Sequence, residues 1–104
     1  MIIDDTIVAI ATPSGRGGVG IVRLSGPESL NIAKKITLQP QLKPRYALFT
    51  KCMDEHQHVI DEGIIIYFVQ PHSYTGEDVV EFQMHGSPWV LAELLRLCQR
   101  YGAR

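Results

Sequence analysis

The order of apolar and polar positions divides this chain into seven segments. Residues 6–12 (TIVAIAT) are an apolar run of strand length, which predicts a strand buried on both faces. Residues 19–25 (VGIVRLS) are β-branched and apolar and predict a second strand. Gly26-Pro27-Glu28 predicts a helix start, with Ser25 or Gly26 as the cap, Pro27 in the first helical position and Glu28 favouring the positive dipole end. Over 28–36, Ser29, Ile32, Ala33 and Ile36 share one side, while Asn31, Lys34 and Lys35 lie mainly on the other. That spacing predicts a short amphipathic helix.

After a polar, proline-bearing connection (QPQLKP), residues 45–53 alternate as a third strand and 54–58, all polar, read as a hairpin turn. Residues 59–69 (VIDEGIIIYFV) predict a long strand with a central buried stretch, and 79–85 a fifth strand. Over 87–101, Val90, Leu91, Leu94, Leu97, Cys98 and Tyr101 recur at helical spacing opposite Glu93, Arg96 and Arg100. Ser87-Pro88 starts that helix and Gly102 stops it. The order β-β-α-β-β-β-α predicts an α+β sandwich, a mixed five-stranded sheet covered by two helices.

Bulk properties narrow the picture only modestly. The 104 residues amount to one domain or a piece of one. Ten basic residues against eleven acidic ones leave a formal charge of −1, so the chain has no general attraction for nucleic acid or anionic membrane. The N-terminal run is preceded by two acids and no Lys or Arg, which is not the pattern of a signal peptide, and it is too short to span a bilayer. Cys52 and Cys98 have no metal-ligand or redox spacing and fit a reducing, cytoplasmic setting as small hydrophobes.

Gly15-Arg16-Gly17-Gly18-Val19-Gly20 matches G-x-G-x-x-G and begins like a phosphate loop. The context argues against both. A phosphate loop needs Lys and then Ser or Thr after its last glycine, but Ile21 and Val22 stand there. A dinucleotide fingerprint must open a helix, whereas the residues after Gly20 suit a strand. The loop therefore reads as a strand connection whose glycines take backbone angles closed to other residues.

Strand alternation places Arg23 and Ser25 on one face of the second strand, and Glu81, Gln83 and His85 on one face of the fifth. If these faces coincide, one sheet surface presents Arg23, Glu81, Gln83 and His85 together. Two readings stand side by side: a cross-strand ion pair on a solvated sheet, or a hydrogen-bonding platform for a flat polar ligand. The loop HSYTGED (72–78) is either a turn with Gly76 at a special angle or, through Tyr74 and Thr75, a pocket rim or partner surface. His56-Gln57-His58 has no third or fourth ligand near it in sequence, which argues against a metal site. No nucleophile–base arrangement is suggested, so no catalytic residue is assigned.

The blocks DTIVAIATPSGRGGVGIVRLSGP, KPRYA, VIDEG, HSYTGEDVVEFQMHGSP and the closing GAR together resemble the start of the tRNA-modification GTPase family of the MnmE/TrmE type. The similarity runs in register from Asp5 to Arg104, with residues 30–42 and 48–59 fitting only in general pattern. The resemblance implies a homodimerising N-terminal domain that holds a tetrahydrofolate one-carbon donor, with 5-formyltetrahydrofolate as an analogue. It implies a fold similar to the folate-binding part of glycine-cleavage aminomethyltransferases. It also implies a parent protein that modifies the wobble uridine of tRNA together with an FAD-dependent partner enzyme. The family's folate-contact positions fall on Arg23 and Glu81. A carboxylate accepts paired hydrogen bonds from pterin N3 and the 2-amino group, the role assigned to Glu81, and Arg23 is placed to bond a pterin or formyl oxygen. GTP, magnesium and potassium belong to the family's GTPase domain, whose motifs are absent from this chain. The chain is expected to stop short of the family's next segment, a PGEFTKRAF-like stretch with a further folate-contacting lysine, and to have weakened folate affinity for that reason. A dimerisation module with a purely structural Arg23–Glu81 pair is the rival reading.

Overall fold

A computed structural model describes residues 5–11, 18–73 and 75–104. The elements are β1 (Ile7–Ile10), β2 (Val19–Ser25), α1 (Ser29–Thr37), β3 (Leu48–Met53), β4 (Val59–Phe68), β5 (Val79–His85) and α2 (Pro88–Arg100). They follow the predicted order. The five strands form one sheet, β1-β2-β5-β4-β3.

The sheet is not mixed, as the pattern had predicted, but antiparallel at every strand pair. The reason lies in the connections. The α1 segment carries the chain from β2 to the far edge strand β3, and returning connections then lead through β4 to β5, which slots in antiparallel between β4 and β2. The parallel contact among the described residues is an isolated bridge between Pro44 and Tyr67, outside the strands.

Both helices lie on one side of the sheet. Val8, Val22, Leu24, Cys52, Ile65, Tyr67, Val80, Phe82 and Met84 point to that side and form one core with Ile32, Ala33 and Ile36 of α1 and Val90, Leu91, Leu94, Leu97 and Cys98 of α2. These helix residues are the ones their spacing had placed inward. Gly20 lets β2 pack close to α2: a Cβ there would come within 2.7 Å of the Leu91 side chain, which would have to shift to admit it.

Three boundaries differ from expectation. β1 is an edge strand, not one buried on both faces: Val8 is 7 % exposed on the helix side, Ile7 on the opposite face is 46 % exposed, and Ile10, on the face of Val8 at the strand end, is 45 % exposed. Helix α1 starts at Ser29, later than predicted, because Gly26 takes φ 135° and the next two residues form a turn. Neither Ser25 nor Gly26 caps it. Glu28 holds the cap position without a side-chain cap bond, and its N–H instead donates to Thr6 Oγ1 at 2.8 Å. The third strand begins at Leu48 rather than at 45, since Arg45 turns the chain with φ 61°. The turn at 54–58 forms as predicted, with Asp54 Oδ1 accepting from the His56 and His58 N–H groups.

Candidate functional site

Strand β2 lies against β5 in a register that sets Arg23 directly opposite Glu81 and Ile21 opposite Gln83. All four side chains therefore stand on the sheet face away from the helices. Arg23 donates to Glu81 Oε2 from Nε at 3.2 Å and from Nη2 at 2.8 Å, and Gln83 Nε2 donates to Glu81 Oε1 at 2.9 Å. The carboxylate is thus gripped from both sides. Arg23 and Glu81 keep 24 % and 15 % of their side-chain surface exposed, so the pair is neither solvated freely nor sealed. An ionised carboxylate offers about four acceptor positions, so with these three bonds made Oε1 retains capacity for a further donor.

Of the residues that alternation placed on this face, His85 stands apart. It sits at the strand end, where its Nδ1 lies 2.8 Å from Asp61 Oδ1 and its N–H donates to Asp61 Oδ2 at 2.9 Å. Partial burial pulls the Asp61 carboxyl upward, but the bonds from His85 and the Glu62 N–H outweigh it and hold the group below its ordinary value. This pair ties β4 to the end of β5 and is not joined to the Arg23–Glu81–Gln83 cluster by any bond recorded among the described residues.

Described residues of the 72–78 loop reach the same face. Thr75 Oγ1 lies 2.7 Å from Ser25 Oγ, on the row next to Arg23. Ser73 Oγ donates to the Glu77 carbonyl, and the Gln70 N–H donates to Asp78 Oδ1 at 2.9 Å. Beneath this end Val79 is fully buried, although it is no part of the helix-side core. Thr75 is thus bonded to β2, and Gly76 takes φ 82°, the special angle of the turn reading; Tyr74 lies outside the described residues.

Between the loop and the sheet is an open cleft of about 460 Å³, lined by Arg45, Phe68, Pro71, His72, Ser73 and Glu81. That volume falls in the roughly 300–1,000 Å³ range of small-molecule sites. Glu81 lines the cleft, whereas Arg23 stands behind it and braces the carboxylate. Sequence reasoning missed Arg45, Phe68 and Pro71. Alternation puts Arg45 in a strand and Phe68 in a long buried run, whereas Pro44 and Pro71 signal that the chain turns near them.

The other candidates do not join this cleft. His56 and His58 stand in the β3–β4 turn with ring centroids 6.2 Å apart, and no group of three or more potential metal ligands occurs among the described residues. Cys52 and Cys98 are free and fully buried, and burial is the main force pushing both thiols up to about 12. Gly15 and Gly17 of the glycine-rich stretch lie outside the described residues. Gly20, at its end, continues into a strand, so no helix N-terminus follows it to receive a phosphate. Among the described residues no helix is long and apolar enough to cross a membrane.

Comparison with known proteins gives a consistent answer over nearly the whole chain. The family model described as GTP-binding protein TrmE N-terminus matches residues 6–104. The tRNA modification GTPase MnmE of Francisella philomiragia subsp. philomiragia is 54 % identical over 100 residues, covering 96 % of this chain and 22 % of the relative. The protein of the same description from Francisella tularensis subsp. tularensis is 55 % identical over the same shares. The chain thus spans about a fifth of the length of the curated relatives it matches.

Proposed function

This chain belongs to the TrmE N-terminus family, and from that premise we propose that it binds a tetrahydrofolate one-carbon donor in the cleft beside Glu81 and pairs with a second copy of itself. The observation that carries this reading is a braced carboxylate in the wall of an open cleft. Glu81 accepts from the N3 and 2-amino edge of the pterin, which presents two parallel donors. Because Arg23 and Gln83 already occupy three of the acceptor positions, one of them shifts as the pterin docks. Arg23 is suited to that exchange: it supplies the counter-charge and, once turned, donates to the pterin or formyl oxygen. Phe68 and Pro71 provide apolar contact for the rings. Family membership further supports a parent GTPase that modifies the wobble uridine of tRNA in the cytoplasm with an FAD-dependent partner. In that protein GTP, magnesium and potassium act in a separate domain. The likeness of this domain to the folate-binding part of aminomethyltransferases is part of the same proposal.

Calorimetric titration with 5-formyltetrahydrofolate tests the site. Saturable binding that Glu81→Gln abolishes, with the circular dichroism spectrum unchanged, is the expected result. A folded wild-type chain that takes up no ligand contradicts it.

A second reading, dimerisation without folate, is favoured by the apolar side chains around the polar cluster. Ile7, Val19 and Phe49, on the helix-free face, are 46 %, 56 % and 66 % exposed. Under that reading Glu81→Ala lowers the dimer's stability and no folate titration saturates.

A further inference from the structure

The cleft has two chemically opposite walls. Glu81 supplies a carboxylate, and Arg45 a guanidinium with no ion-pair or hydrogen-bond partner recorded for its side chain among the described residues. Its backbone is fixed more firmly than its side chain. The Arg45 N–H donates to the Tyr67 carbonyl at 2.7 Å, Pro44 bridges to Tyr67, and φ is 61°. A left-handed angle at a non-glycine residue persists only where surrounding structure enforces it, and such residues gather at ligand sites. Here the enforced turn sets Arg45 beside Phe68 at the edge of the cleft. Neighbouring Lys43 is engaged over the Tyr46 ring, 5.6 Å from its centroid, and is not in the cleft lining.

We infer that Arg45 anchors the anionic end of the ligand whose donor-bearing end Glu81 receives, so that the cleft selects a tetrahydrofolate with an ionised glutamyl tail over one with a neutral tail. The inference rests on the folate reading and extends it to specificity. A guanidinium binds carboxylate through paired, charge-assisted hydrogen bonds, and an unpartnered one has no internal bond to break first. The aminobenzoyl ring spans the middle, against Phe68.

The test compares 5-formyltetrahydrofolate with its glutamyl diamide, which has the same shape and no tail charge, on the wild-type chain and on Arg45→Gln. The wild type is expected to prefer the acid by about tenfold, and Arg45→Gln to bind both ligands alike, with the affinity for the diamide within about twofold of wild type. Equal wild-type affinities for the two ligands, or a preference that survives in Arg45→Gln, overturns the inference and leaves the folate reading intact. Binding of neither ligand to the folded wild type overturns the folate reading, and the inference with it.

Discussion

The two faces of the sheet are built from alternate residues of the same strands, yet they follow different rules. On the helix side Val22, Leu24, Val80 and Phe82 are completely buried, as are Leu94 and Leu97 of the helix above them. On the other side, one residue along each strand, Ile21, Arg23, Ser25, Glu81, Gln83, Ile64, Ile66 and Phe68 are only partly buried. They mix charge, amide and large apolar groups. The covered face holds the fold together by removing apolar surface from water. The helix-free face contributes less to stability and is the face on which a ligand or a second copy can make new contacts. β4 shows why this is easily misread: GIIIYF is a continuous apolar run because Ile65 and Tyr67 enter the core while Ile64, Ile66 and Phe68 line the other face.

Damage to the covered face is expected to cost the most. Phe82→Ala leaves a cavity beneath both helices and is expected to destabilise the chain by about 3–5 kcal/mol in urea unfolding. The neighbouring change Glu81→Gln, on the other face, is expected to cost only about 1–2 kcal/mol, since Arg23 stays partly solvated when its partner loses charge. Under the proposed function its large effect is expected on the 5-formyltetrahydrofolate titration instead. Phe49→Lys is expected to stay within about 0.5 kcal/mol of wild type in monomer stability and to shift the sedimentation profile towards monomer, because Phe49 is 66 % exposed on the helix-free face.

Two smaller effects concern groups outside both faces. Arg96 and Arg100 flank Glu55, and the hydrogen bonds from Arg96 are the main cause of its carboxyl lying at about 2 instead of the ordinary 4.5. A depressed carboxyl contributes stability that is fully present above pH 4.5 and is lost as pH falls through about 2. Arg96→Ala should therefore return the Glu55 resonance in a pH titration towards ordinary values and flatten the acid limb of the stability curve. The least perturbing test is thiol labelling: with both thiols buried and held near 12, neither Cys52 nor Cys98 should react at pH 7 until the chain unfolds.

Periodicity made the helices, the element order and the polar sides of β2 and β5 legible, because each rests on local spacing; that Arg23 meets Glu81 rests on the register of strands 58 residues apart. What it left out depends on partners distant in sequence. Strand direction came from where α1 deposits the chain, and the edge position of β1 from the strand order β1-β2-β5-β4-β3. The start of α1 came from the Thr6 hydroxyl, twenty-two residues away from Glu28. Arg45 escaped notice for a similar reason, since its turn is enforced by bonds to Tyr67 on another strand. The cleft wall itself comes from a loop whose anchor, Ser25, lies fifty residues earlier in the chain than Thr75.

Ile65 and Ile66 are adjacent in β4 and point to opposite faces, Ile65 into the core at 1 % exposure and Ile66 onto the row of Glu81. Methyl spectra of an isoleucine-labelled chain titrated with 5-formyltetrahydrofolate therefore report each face separately. The pterin ring current should move the Ile66 methyl resonance and leave that of Ile65 in place, saturating together with the calorimetric signal. A ligand that shifts Ile65 as strongly as Ile66, or one that binds without moving Ile66, contradicts the assignment of binding to the helix-free face.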